Sequence, residues 1–249
     1  MSNSPEYSPV LIVLRHGQDL PTDAENDQYK KDHDGADIPK DEEYKYFKDH
    51  SSLYPQDSQL TTPIPGGKVT VPWHRLSDEG IARAKAIGQL LPQWIEKKKY
   101  KVVTRVITKD PNGKSRTQNP FETILPFMNN IEKDQKGQRP NGKDVKVDLL
   151  DMPENGLPFS SSSLISEFST VICWDRQGLW NDDNDNKTYI LQHLSRDWDD
   201  KVAKGELSRP HKGDSFYIFT DPKEYESGHW NFSVEQLSWQ QIADFVAKN

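Results

Sequence analysis

A single cysteine, Cys173, in 249 residues leaves no partner for an internal disulfide, and one thiolate cannot build a structural zinc site. No apolar run approaches the roughly 18 residues needed to cross a bilayer. The opening MSNSPEYSP has no basic segment leading into a signal-length apolar core. A soluble, cytoplasmic protein with no membrane partner is therefore expected. Positive charge is also scarce: 32 Lys and Arg stand against 39 Asp and Glu, for a net charge of -7. That balance excludes a general nucleic-acid or anionic-membrane binder and requires any anion site to be built locally. Metal-ligand spacing is missing as well. His33, His50, His74 and the later histidines form no compact H-x-x-x-H pair. The acidic run 182–185 lacks the turn glycine and closing glutamate of a calcium loop. Neither a metal nor a cofactor is expected. Pro65-Gly66-Gly67-Lys68 lacks the spacing and the following Ser/Thr of a phosphate loop, so it reads as a turn.

What is present is an alternation of strand and helix signals, which predicts an α/β fold: a three-layer sandwich with a largely parallel central sheet flanked by helices. The chain is long enough for one large domain spanning 1–249. Strands are expected at 10–14, 102–108, 145–150, 170–174 and 215–220. Helices are expected at 77–97, 119–131, 188–204 and 234–247. Ser77 is a suitable N-cap, with Asp78 and Glu79 in the first turn. Residues 21–72 are polar, with three acidic clusters and the segment TTPIPGGK, and form an insertion or lid.

The first strand, VLIVL, runs straight into Arg15-His16-Gly17. In an open α/β fold the carboxyl ends of parallel strands are where ligands bind. Arginine offers a planar fork of donors for phosphate oxygens, and imidazole is a nucleophile usable near neutral pH. Three further segments extend the pattern: Leu76-Ser77-Asp78-Glu79-Gly80 opening a helix, Ser115-Arg116-Thr117-Gln118 after the second strand with Thr123 in the following helix, and Val171-Ile172-Cys173-Trp174-Asp175-Arg176-Gln177 at the fourth strand.

In this order the segments resemble the histidine phosphatase superfamily, the phosphoglycerate mutase-like proteins. The resemblance runs from Val10 to about Thr220 and is strongest at RHG and the LSDEG helix. It implies in-line attack of His16 on phosphorus to form a transient phosphohistidine, with Arg15 and Arg116 holding the non-bridging oxygens. Gln18, next to the motif, would join the substrate site. A carboxylic acid near the third strand would protonate the leaving oxygen: Glu154 in DMPENG, with Asp148 and Asp151 as competitors. The second histidine that the family delivers from its fourth strand is missing. One alignment puts Arg176 in its place, and another puts Thr220 or Asp221 there, with His229 as a replacement from a loop. Two functions follow. One is a phosphatase acting on a phosphorylated small molecule, with Arg176 as a third cation. The other is a silent or repurposed member, a lyase, dehydratase or ligand-binding protein using the same arginine-rich pocket. The acidic insertion would repel a polyanion, which favours a monophosphate substrate.

Overall fold

The computed structural model describes residues 7–17, 23–36, 60–71, 76–112, 119–134, 144–151, 164, 168–180, 189–210, 215–226 and 229–249. Each apolar run of the sequence becomes a strand of one sheet. These are β1 (Leu11–Arg15), β4 (Val103–Lys109), β5 (Lys146–Leu150) and β6 (Ser169–Trp174), followed by β7 (Ser215–Glu226) and β8 (His229–Ser238). The six strands lie in the order β5-β4-β6-β1-β7-β8. The pairs β4/β5, β4/β6 and β1/β6 are parallel, whereas β1/β7 and β7/β8 are antiparallel. The sheet is thus mostly parallel but mixed.

β1 is buried on both sides, which is why its sequence is uninterruptedly apolar instead of alternating. Val10, Ile12 and Leu14 belong to one core cluster, and Leu11 and Val13 to another. The first cluster is covered by α2 (Asp78–Lys97), α3 (Asn119–Asp134) and α7 (Trp239–Lys248). The second is covered by α4 (Arg176–Leu179), α5 (Ile190–Leu194) and α6 (Trp198–Ala203). Helices therefore flank the sheet on both faces.

α2 begins as its sequence predicts: the Ser77 hydroxyl accepts the Gly80 N–H at 3.1 Å. Pro92 lies inside this helix and cannot donate to the carbonyl four residues back, that of Gly88. Asn130 of α3 donates its side-chain N–H to that carbonyl at 3.0 Å instead. The same Gly88 lets the two helices touch, because a methyl group there would sit 2.8 Å from the carbonyl carbon and Cβ of Pro126.

Two expectations are corrected. Residues 234–238 belong to β8, not to the closing helix: Val234 pairs with Phe219 and Ser238 with Ser215, and the helix starts only after Ser238. The single helix expected at 188–204 is two, α5 and α6: the backbone turns extended at Ser195 (φ -130°, ψ 110°), whose hydroxyl donates to Asp197 Oδ1 at 2.8 Å. Within 21–72 the described residues include a helix, α1 (Asp23–Asp32), and a hairpin, β2 (Leu60–Ile64) with β3 (Gly67–Val71). PGGK is the tip of that hairpin, with Ile64 opposite Gly67 and Gly66 at φ +78°.

Candidate functional site

β1 delivers His16 just beyond its last residue, and the His16 N–H continues the ladder by donating to the Trp174 carbonyl at 3.2 Å. The imidazole is 5% exposed. Its Nδ1 lies 2.8 Å from the Gly17 carbonyl oxygen. A carbonyl only accepts, so Nδ1 carries a proton, and in the neutral ring the lone pair is then on Nε2.

Gly17 is clamped between two helix starts. Its N–H donates to Thr123 Oγ1 at 2.8 Å, and that hydroxyl donates to the Asn119 carbonyl at 2.7 Å. On the other side a Cβ at position 17 would meet the Gly80 oxygen at 3.3 Å and the Gly80 Cα at 3.4 Å, so a side chain would push the first turn of α2 away. Glu122 ties the two starts together: its Oε2 accepts the Leu76 N–H at 3.2 Å. The positive ends of α2 and α3 therefore converge beside His16, a field that favours an anion.

Arg15 is turned elsewhere. It pairs in register with Trp174, a member of the second core cluster, and its NH1 donates to the Pro210 carbonyl at 3.0 Å. Behind it lies Tyr217, whose hydroxyl donates to the Ser208 carbonyl at 2.9 Å. Burial pushes the Tyr217 phenol well up, outweighing the lowering by a Ser215 hydrogen bond and by the Arg15 charge.

The other site residues are placed unequally. Gln18, Arg116 and Glu154 lie outside the described residues. Arg176 opens α4, two residues past the end of β6 and so at the His16 edge; its side chain is outside the description. Asp148 is held in ion pairs by Arg105 and Lys146, at 2.5 and 3.0 Å. Asp151 directly follows β5 at its carboxyl end. The alternative place for the second histidine is ruled out by strand direction. β7 runs antiparallel to β1, with Phe219 opposite Leu11 and Phe216 opposite Leu14, so Thr220 and Asp221 lie at the far edge from His16. His229 pairs with Glu226, farther still along the same hairpin. His193 sits on α5, over the second core cluster.

Sequence reasoning missed a buried ion pair between Lys109, the last residue of β4, and Asp175, the first after β6. Asp175 Oδ1 also accepts the Gly178 N–H at 2.9 Å, capping α4. Only the position of both residues at strand ends hinted at it. A separate cleft of about 750 Å³ lies at the opposite edge, lined by Tyr7, Pro92, Tyr100, Lys101 and Phe168 among others. The Tyr100 hydroxyl is pushed up by burial, then by Glu235 and Asp221.

The fold and site define an α/β protein with a mixed, mostly parallel sheet that presents a buried imidazole at the carboxyl end of a central strand, between two helix starts. No protein-family model matches the chain, and no curated protein is similar to it at a significant level. Among the described residues no helix is long and apolar enough to cross a membrane.

Proposed function

We propose that the chain is a divergent histidine phosphatase, a three-layer protein of the phosphoglycerate mutase-like type, that hydrolyses a phosphomonoester of a small molecule through a phosphohistidine on His16. The observation that carries this reading is the Nδ1 contact with the Gly17 carbonyl, which leaves Nε2 as the nucleophilic nitrogen at the edge where α2 and α3 begin. In-line attack by Nε2 forms the P–N bond as the ester oxygen leaves. Arg116 and Arg176, assigned from the sequence, would neutralise the phosphoryl oxygens with the helix starts, and Glu154 would protonate the leaving oxygen. Gln18 would border the substrate.

A second reading, an anion-binding or repurposed protein, is favoured by one feature: the Arg15 guanidinium is engaged by the Pro210 carbonyl on the other side of the strand instead of beside His16. The substitution His16→Ala separates the two. Under the enzyme reading it abolishes turnover of a general phosphomonoester while phosphate affinity stays within about tenfold, because cations and helix dipoles supply most of the binding. Brief incubation of the wild type with a phosphodonor leaves an acid-labile adduct on His16. Turnover that survives His16→Ala, or no adduct in a wild type that still binds phosphate, favours the second reading.

A further inference from the structure

A buried ion pair at the His16 edge of the sheet is left unused by this reading. β1 and β6 run in register with Arg15 beside Trp174, so the next step of the ladder sets Asp175 beside His16. Leu14 and Cys173 lie in the first core cluster and Trp174 in the second. The strand period of two returns His16 to the first face, where α2 and α3 begin; Asp175, the first residue after β6, stands at the same edge, its carboxylate shared between Lys109 and the Gly178 N–H of α4. Lys109 reaches Asp175 from β4, the strand on the other side of β6 from β1. Lys109 and Asp175 are only 6% and 9% exposed.

A fold does not need such a pair. Burying two charges costs desolvation, and apolar residues of similar volume stabilise as well or better. Capping Gly178 requires only a neutral acceptor, which asparagine supplies. The charges stand, however, beside an imidazole whose own charge would change during phosphoryl transfer.

We infer that Asp175, paired with Lys109, is the charge partner of His16, a positioning residue one place before Arg176. The inference rests on His16 being the nucleophile. When neutral Nε2 attacks, the bond from phosphorus to the ester oxygen breaks with its electron pair, and that oxygen takes a proton from the general acid. The ring, still holding its Nδ1 proton, becomes a cationic phosphoimidazolium. The Asp175 carboxylate stabilises that positive charge, and Lys109 moderates the effect so that the resting ring stays neutral. Water then attacks phosphorus, the P–N pair returns to Nε2, and the proton of water leaves with phosphate. The other charged groups at the helix starts near His16 are Asp78 and Glu79 in the first turn of α2 and Glu122 in that of α3; on β1, Arg15 donates to the Pro210 carbonyl.

The test is an NMR titration of the His16 ring, assigned by its loss in His16→Ala. In Asp175→Asn the midpoint falls by about one pH unit, and in Lys109→Met it rises by a similar amount. Lys109→Arg leaves it in place. If either single variant fails to fold, Lys109→Met/Asp175→Asn replaces it: both buried charges are gone, and the midpoint still falls, because the nearer charge is that of Asp175. A midpoint that does not move in these variants overturns the inference, whether or not the wild type turns over a phosphomonoester. Shifts of the expected sign in a wild type that forms no phosphohistidine remove the phosphatase reading and leave the charge pair standing.

Discussion

A methyl group added at Gly88 shows how one position sets two opposed effects against each other. Helix propensity alone favours alanine there by up to about 1 kcal/mol. The crossing of α2 and α3 forbids it, since the new carbon would lie 2.8 Å from backbone and ring atoms of Pro126. Overpacking costs roughly 1–3 kcal/mol and wins. Gly88→Ala is therefore expected to lower the urea midpoint with an unchanged slope; a raised midpoint would show that the helices separate freely. The same contrast between local and distant causes decides what could be read in the site. His16, Gly17 and the Ser77 cap were legible because each is written within a few neighbouring residues. The pairing of Lys109 with Asp175 joins residues 66 apart, and only the parallel register of β4 and β6 brings them together.

Among elements, the strands of the parallel part were read nearly to their ends: β1 and β6 are buried on both faces and read as apolar runs, and the more exposed β5 was read from its alternation. β8 was misread. Its apolar residues at 232, 234 and 237 fit helical spacing as well as strand spacing, and pairing with β7 decided the matter. The true helix start was nevertheless written in the sequence as Ser-x-x-Gln. The Ser238 hydroxyl accepts the Gln241 N–H at 3.2 Å, and Gln241 Oε1 accepts the Ser238 N–H at 2.7 Å. Ser238→Ala removes half of this reciprocal cap and is expected to cost about 1 kcal/mol. Amide exchange should quicken in the first turn of α7 while β8 keeps its protection. Equal loss across both elements would mean that the hairpin and the helix unfold as one unit.

At the scale of the whole molecule, Cys173 reports on global opening. It is 0% exposed at the centre of the sheet, and burial, followed by the Asp175 charge, pushes its thiol well above the ordinary range. The folded state thus holds the thiol proton to higher pH than the unfolded state does. The stability this contributes is present below the ordinary thiol value and falls as pH rises above it. A thiol reagent at pH 8 should react at a rate that follows the global unfolding equilibrium across a urea series. Rapid reaction in native buffer would show that β6 opens on its own.

The position of β1 also sets an order of events during synthesis. β1 is made first, yet its neighbours are β6 and β7, and the side-chain bond that anchors Val10 to Ser169 spans 159 residues. β4 and β5 can pair with each other before β6 is made. A nascent chain therefore carries its imidazole-bearing strand without a partner until the ribosome has passed the middle of the sequence, and contacts of such separation slow folding. The edge that carries His16 cannot assemble on a partly made chain. Premature release short of β6 leaves an apolar strand exposed and prone to associate with other chains, instead of a fragment with residual chemistry.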